Sequence, residues 1–169
     1  MHFSQELADR FMRYVRIDTE ADPNSSSFPS SEKQKDLGRL LTQELIELGA
    51  SDVEMDAWGY VFATIPSNSP NQNLPTICFC SHMDTAPDCS GKDVKPILHR
   101  AWNGSPITLP DDTTQVITVE NQPYLSGKIG QDVITASGLT LLGADDKAGV
   151  TIIMELAKHL LTHPEIPHG

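Results

Sequence analysis

The order of apolar and polar residues along the chain predicts three helices. The first follows Ser4, a favourable N-cap residue, and ends near Arg16. The second ends at Gly49, which stands where a helix C-cap glycine is expected. The pair His163 and Pro164 ends the third, because a residue before proline disfavours helical backbone. The apolar face of the first helix comprises Leu7, Phe11, Tyr14 and Val15. That of the second comprises Leu37, Leu40, Leu41, Leu45 and Leu48, and that of the third comprises Val150, Ile153, Met154, Ala157, Leu160 and Leu161.

Strands are predicted between these helices. Val53 and Met55 alternate with charged residues and precede a β-rich run at 60–65, which predicts a hairpin. Residues 76–81 form a short apolar run typical of a strand that is buried on both faces of an α/β sheet. Residues 133–136 predict a further strand.

The regions between these elements are polar or weakly periodic. Residues 22–31 and 66–75 are expected to be loops, and residues 92–130 are expected to form short strands and loops. The alternation of helices and strands predicts an α/β protein with a central, mostly parallel sheet flanked by helices.

Composition and charge narrow the class of protein. With 169 residues, 38% of them apolar, the chain is long enough for one globular domain. The formal net charge of -11 argues against a nucleic-acid partner, since phosphate binding requires clustered Lys and Arg and no basic stripe is visible. No signal peptide and no membrane-spanning run is present, so we expect a soluble, cytoplasmic protein without a membrane partner. Three cysteines are too few for a disulfide framework and are expected to be free thiols: Cys78, Cys80 and Cys89.

His82 and Asp84 form the first candidate site. They lie two residues apart where the predicted buried strand ends, so both side chains are expected on one side of the sheet, at the edge where α/β proteins bind ligands. An imidazole that binds zinc usually donates its other N–H to an oxygen, and Asp84 is a suitable acceptor. The alternative is an ordinary hydrogen-bonded pair without a metal.

The second candidate site is the loop 143–149, which delivers Asp145 and Asp146 to the start of the last helix. Carboxylates are favoured there by the helix dipole, and ordinary helix capping is the alternative interpretation. A phosphate-binding loop is excluded, because Ala144 and Asp145 follow Gly143 where Lys and Ser or Thr are required.

Two further groups of metal-binding residue types have simpler interpretations. Cys78 and Cys80 share the strand face of His82, but they are expected to be small buried residues rather than thiolate ligands. His159 and His163 are four apart on a predicted helix, yet no Glu follows His159 as a helical zinc motif requires.

Taken together, the two candidate sites resemble a known family. Residues 81–85, Ser-His-Met-Asp-Thr, follow an apolar strand, and residues 143–149, Gly-Ala-Asp-Asp-Lys-Ala-Gly, precede a helix. The pair resembles the N-terminal signatures of a zinc metallopeptidase family that includes carboxypeptidase G and aminoacylase. Residues 13–19, 22–25 and 36–41 further resemble the tripeptide-cleaving members, so the resemblance extends through essentially the whole chain.

The resemblance implies an activity and a set of roles. It implies a zinc-dependent aminopeptidase that releases the N-terminal residue of tripeptides, with two zinc ions in the complete active site. His82 would bind one zinc, Asp145 would bridge both, and Asp84 would be the catalytic-site acid that orients His82. It also implies a cis peptide bond between Asp145 and Asp146, and it is compatible with a homodimeric full-length enzyme.

Several family features lie outside residues 1–169, namely the general-base Glu with its neighbouring Glu ligand, a later acidic ligand, a last His ligand and a lid domain. Residues 1–169 are therefore expected to be the N-terminal part of the catalytic domain, without the lid or dimerisation domain. Because zinc needs about four ligands, we expect weak zinc binding and no peptidase activity from this chain alone.

Two alternatives remain open at this point. One is a different amidohydrolase of the same family, which lid-domain residues would distinguish. The other is a non-catalytic α/β module that holds a hard cation such as calcium or magnesium through four carboxylates. These carboxylates are Asp84, Asp111, Asp112 and Asp145.

Overall fold

The computed structural model describes residues 3–71 and 73–169. Within them there are three α-helices and six short strands, together with a 3-10 helix at Pro123–Lys128. The helices are α1 (Phe3–Tyr14), α2 (Gln34–Leu48) and α3 (Ala144–Thr162). The strands are β1 (Ser51–Met55), β2 (Val61–Thr64), β3 (Ile97–His99), β4 (Ile107–Thr108), β5 (Val116–Ile117) and β6 (Val133–Thr135).

All three predicted helices are present. Gly49 ends α2 with a φ of 86°, and its N–H donates to the carbonyl of Ile46, as expected of a C-cap glycine. The prediction of Ser4 as N-cap was wrong, because helical backbone already begins at Phe3 and includes Ser4 in the first turn. The first helix also ends at Tyr14, slightly before the predicted end.

The strands form three separate antiparallel pairs. The predicted hairpin is confirmed as β1 with β2, the strand predicted near residue 133 is confirmed as β6, and the short strands predicted in 92–130 are β3, β4 and β5. The expected central, mostly parallel sheet is not formed among the described residues, where each sheet has two strands.

The predicted buried strand at residues 76–81 is also wrong. These residues are outside every strand, and their apolar side chains are exposed, with Ile77 70% and Phe79 59% accessible. A strand is buried on both faces only when neighbouring strands and covering helices surround it, and no strand in the described part of the chain pairs with this run.

The buried apolar residues form three clusters. The largest lies where α1, α2 and α3 meet, and partly buried residues of β1 and β2 pack against it. A second joins α1 to Val94, and a third lies beneath β4 and β5. The members of the first cluster are Tyr14, Leu37, Leu41, Leu45, Val150, Met154 and Ala157. The three helices are thus the main support for the segments that carry the candidate site residues.

Arg10 links the same three helices through polar contacts. Its Nε donates to Glu155 Oε1 at 2.5 Å, and its Nη1 donates to Tyr14 Oη at 2.8 Å and to the carboxylate of Glu44. The Glu155 side chain is only 3% exposed, and the Arg10 and Glu44 side chains are each 11% exposed. Charges buried to this degree need partners, so Arg10 satisfies two carboxylates at once.

No helix among the described residues is long and apolar enough to cross a membrane.

Candidate functional site

The segment that carries His82 is fixed by the stretch that follows α1. Thr85 donates its N–H to the carbonyl of Thr19 at 3.1 Å, and Ala21 donates to the carbonyl of Thr85 at 2.9 Å. The hydroxyl of Thr19 donates to the carbonyl of Met83 at 2.7 Å. Thr19 and Thr85 are both buried, so this junction is held rigidly although no regular strand forms there.

His82 lies between the two acidic residues predicted to accompany it. Its Nε2 is 2.9 Å from Asp145 Oδ1, and its Nδ1 is 3.1 Å from the carbonyl oxygen and 3.2 Å from Oδ1 of Asp84. Partial burial lowers the pKa of His82, but the hydrogen bond with Asp145 and the proximity of Asp84 outweigh it and raise the pKa above its ordinary value. The structure therefore brings together all three residues singled out from the sequence.

Asp145 and Asp146 have different surroundings although they are adjacent. The peptide bond between them is cis, as the family resemblance implied. Asp146 is anchored, since Ser81 Oγ lies 2.6 Å from its Oδ2 and donates to its carbonyl at 2.9 Å, while Gly149 N–H donates to its Oδ1 at 3.2 Å. The side chain of Asp145 is 95% exposed. The capping interpretation thus applies to Asp146, and Asp145 is left to face His82.

Gly149 leaves the space in which Asp146 is anchored. A Cβ at position 149 would lie 2.5 Å from Asp146 Oδ1 and 2.7 Å from Ser81 Oγ, which is closer than real contacts allow. We expect Gly149→Ala to lower the free energy of unfolding by about 1–3 kcal/mol, as overpacking of fixed groups does. Urea denaturation measures this change.

Gly38→Ala in α2 is the matched control for this prediction. A Cβ at position 38 would meet the sulfur of Met55 at 2.8 Å, but that long side chain can rotate away. We expect the control to cost less than about 1 kcal/mol, since alanine also favours the helix. Equal losses in the two variants would contradict the proposed role of Gly149.

Lys147 connects the start of α3 to the stretch that follows α1. It is 1% exposed, and its Nζ donates to the carbonyl of Ile17 at 2.7 Å. Burial lowers the pKa of Lys147 to about 8, and the carboxylate of Asp18 acts in the opposite direction. Residues 17–21 therefore hold both halves of the site, because the same stretch also binds the segment that carries His82.

Other residues considered from the sequence do not join the site. Cys78 and Cys80 are exposed free thiols, so the prediction of burial was wrong while the prediction of free thiols is confirmed. Asp111 is paired with Lys95, and Asp112 accepts from the N–H and hydroxyl of Thr114. Residues 3–71 and 73–169 contain no group of three or more His, Cys, Asp or Glu side chains that could hold a metal ion. The four-carboxylate cation site is therefore not assembled in this part of the chain.

The residues at the site match part of a zinc ligand set. One imidazole nitrogen and one carboxylate oxygen lie 2.9 Å apart. Two tetrahedral ligands at about 2.0–2.2 Å from zinc lie about 3.3–3.6 Å apart, so the present spacing is that of a hydrogen bond, and the two atoms would separate by about 0.5 Å to share a metal. A full set of about four ligands is not reached among the described residues.

Comparison with solved structures defines the class of protein. The aminopeptidase PepT of Bacillus cereus superposes with a TM-score of 0.63 at 25% sequence identity, covering 98% of this chain and 34% of that chain. A tripeptidase of Staphylococcus aureus gives a TM-score of 0.60 at 25% identity with the same coverage. These similarities confirm the predicted α/β class and show that the chain resembles part of two solved peptidase structures. No protein-family model matches the chain.

Comparison with curated proteins confirms the resemblance to the tripeptide-cleaving members of the family. The chain is similar to peptidase T along its whole length. Peptidase T of Bacillus cereus is 46% identical over 169 residues, and that of Bacillus mycoides is 47% identical over 165 residues. The chain spans 41% and 40% of the length of these two relatives, respectively.

Ser81, Gly149 and Thr19 support the site but were not assigned a role from the sequence. Ser81 is the first residue of segment 81–85, and Gly149 is the last residue of segment 143–149. Their place in these two family motifs is the sequence feature that could have indicated a role at the site. Thr19 is far from both segments in the sequence, and its contact with Met83 arises only through folding.

Proposed function

We propose that this chain is part of a zinc-dependent aminopeptidase that releases the N-terminal residue of tripeptides. The observation that carries the proposal is the 2.9 Å approach of His82 Nε2 to Asp145 Oδ1, which joins the two separate sequence signatures at one point. The similarity to peptidase T, and to solved structures named aminopeptidase and tripeptidase, supports a small peptide as the substrate.

Each of the three residues has a distinct proposed role. His82 would hold one zinc through Nε2, and Asp145, whose side chain is almost fully exposed, would offer its two oxygens to two zinc ions. Asp84 would accept a hydrogen bond from His82 Nδ1–H and so keep the Nε2 lone pair directed at the metal position. When bound, zinc supplies a nucleophilic water near neutral pH and polarises the scissile carbonyl.

Asp146 and Lys147 would act on the position of Asp145 rather than on substrate. Asp146 is held by Ser81 and Gly149, and Lys147 is held by the carbonyl of Ile17. These contacts fix the backbone on the C-terminal side of Asp145, so its carboxylate keeps its place opposite His82. Positioning of this kind matters because displacement of a reacting group by about 1 Å can cost about 100-fold in rate.

We propose that residues 1–169 are the N-terminal part of the catalytic domain and contain no lid or dimerisation domain. The remaining zinc ligands and the general base would come from polypeptide that the longer relatives possess and this chain does not contain. On its own the chain would bind zinc weakly and would not hydrolyse peptides. The complete enzyme would act in the cytoplasm.

A fusion tests the proposed activity. The chain is joined at Gly169 to the portion of Bacillus cereus peptidase T that has no counterpart in it, and release of the N-terminal residue from a tripeptide is measured with zinc present. We expect hydrolysis by the fusion and none by the chain alone. The matched control is the same fusion with Asp145→Ala, which should be inactive. Equal activity of the fusion and its Asp145→Ala variant would exclude the proposed site.

A further inference from the structure

Asn103 and Gly104 lie in an anchored turn that follows β3. Trp102, the residue before them, is only 5% exposed. It donates its N–H to the carbonyl of Gln131 at 2.8 Å, and its indole Nε1 donates to the carbonyl of Ser105 at 2.8 Å. Asn103 itself is exposed. The turn therefore holds an Asn-Gly pair in solvent while the residues on both sides of it are fixed.

The side-chain amide of Asn103 is polarised, and the neighbouring backbone nitrogen is free. The N–H of Ser105 donates to Asn103 Oδ1 at 3.0 Å, and a bond of this kind stabilises negative charge that develops on the oxygen when Cγ is attacked. In the described part of the chain, the N–H of Gly104 donates no hydrogen bond. Gly104 also has no Cβ to crowd an approach to Cγ. An electrophile and a nucleophile are thus adjacent in one turn.

We propose that Asn103 is a site of spontaneous deamidation through a cyclic imide formed with Gly104. The Gly104 nitrogen attacks Asn103 Cγ, the N–Cγ bond forms, and Nδ2 leaves as ammonia with the proton of the attacking nitrogen. Water then opens the ring. Its addition at Cγ gives aspartate, and its addition at the main-chain carbonyl of residue 103 gives isoaspartate. The net reaction consumes one water and releases one ammonia, and it needs no catalyst because the reacting groups are already held together.

The other asparagines of the chain lack this combination, since each is followed by a residue larger than glycine. Asn121 has both reacting groups occupied, because its Nδ2 donates to a backbone carbonyl at 2.7 Å and the N–H of Gln122 donates to another at 2.9 Å. Asn24 is exposed like Asn103, but the N–H of Ser25 donates to a carbonyl at 3.2 Å. Asn24 and Asn121 therefore serve as internal controls.

The two products differ in their effect on the turn. Aspartate keeps an oxygen that can accept from the N–H of Ser105, so it adds a negative charge without changing the main chain. Isoaspartate carries the main chain through Cβ and Cγ, which lengthens the path between Trp102 and Ser105 and should loosen the indole hydrogen bond that spans it. These partners all belong to the chain itself, so the proposal is independent of the proposed hydrolysis.

Incubation of the whole chain in heavy-oxygen water at mildly alkaline pH tests the proposal. Peptide mapping by mass spectrometry follows the conversion of each asparagine to acid and separates aspartate from isoaspartate. We expect Asn103 to convert at least about 10-fold faster than Asn24 or Asn121, because only its reacting groups are free and adjacent. Both products should carry one heavy oxygen. The rate should rise with pH, since the deprotonated Gly104 nitrogen is the attacking species.

Gly104→Ala and Gly130→Ala form a matched pair of variants. Both glycines have left-handed backbone, with φ values of 89° and 84°, so alanine strains the chain at either position. Only Gly104 supplies the attacking nitrogen. We expect Gly104→Ala to slow conversion of Asn103 at least about 10-fold and Gly130→Ala to leave it fast, because crowding displaces the nitrogen in the first variant alone. Asn103→Gln, which would need a larger ring, should abolish conversion at this position.

Four results would overturn the proposal. The first is conversion of Asn103 no faster than that of Asn24. The second is an equal rate in Gly104→Ala and Gly130→Ala. The third is aspartate without isoaspartate, because direct hydrolysis of the side-chain amide gives aspartate alone. The fourth is acid at position 103 that lacks heavy oxygen, since ring opening by water must introduce it.

Discussion

Arg10→Met is expected to lower the free energy of unfolding by about 3–5 kcal/mol, the range found when one partner of a buried ion pair is removed. Arg10 is the close partner of Glu155, whose side chain is 3% exposed, since the nearest Lys158 nitrogen is 4.0 Å away. Loss of the guanidinium would leave that carboxylate buried with little compensation. It would also remove a link between α1, α2 and α3. Urea denaturation followed by circular dichroism measures the effect.

Arg39→Met is the matched control, because it removes the same side chain from an exposed helical ion pair. Arg39 and Asp36 have side chains that are 57% and 60% exposed. Pairs of this kind contribute about 0–1 kcal/mol. The double variant Arg10→Met/Glu155→Met should recover much of the lost stability, because Glu44 keeps its ion pair with Arg13 at 2.6 Å and the buried carboxylate of Glu155 is gone. If Arg10→Met and Arg39→Met were equally stable, the buried network would not have the role given to it.

Asp145→Ala is expected to weaken zinc binding at least about 100-fold. Loss of an outer residue that merely orients a ligand costs about 10–100-fold in affinity, so loss of a direct ligand should cost at least as much. Isothermal titration of zinc at neutral pH measures this in the fusion and in the chain alone. In the chain alone, where two ligands lie side by side, weak binding should fall below detection in the variant.

Asp111→Ala provides the control for charge. It removes one exposed carboxylate that is paired with Lys95 outside the site, so it changes the net charge of the chain by the same amount. His82→Ala should act like Asp145→Ala, and Asp84→Asn should have a smaller effect of about 10-fold. Zinc titrations that match for the wild type and Asp145→Ala would show that the metal position has been assigned to the wrong carboxylate.

The helices and the hairpin could be predicted from the sequence because their signals are local. Gly49 ends α2 at the residue where the apolar pattern stops, β1 alternates between half-buried and exposed residues, and β2 lies in a β-rich run that pairs with it. Likewise, the meeting of His82 with Asp145 could be expected once both signatures were recognised as parts of one family. Local patterns and family motifs thus predicted the positions of the supporting elements and the central pair of the site.

Features that depend on distant contacts could not be predicted. The pattern at Ile77 and Phe79 predicts burial, but burial requires neighbouring strands that the described chain does not provide. The contact of Arg10 with Glu155 joins residues 145 positions apart, and nothing in either local sequence indicates it. The same is true of Thr19 and Met83. The apolar pattern at residues 76–81 is therefore that of a strand inside a larger sheet, whereas in the described structure these residues have no neighbouring strand.

The contacts of residues 17–21 also indicate the order in which the site can form during synthesis. Those with residues 83–85 can form early, because both segments belong to the first half of the chain. Lys147 reaches Ile17, and Asp145 reaches His82, only after the start of α3 has left the ribosome. A growing chain therefore carries His82 with Asp84 but without Asp145 for some sixty residues of elongation, and the contact between His82 and Asp145 forms only when Asp145 has been synthesised.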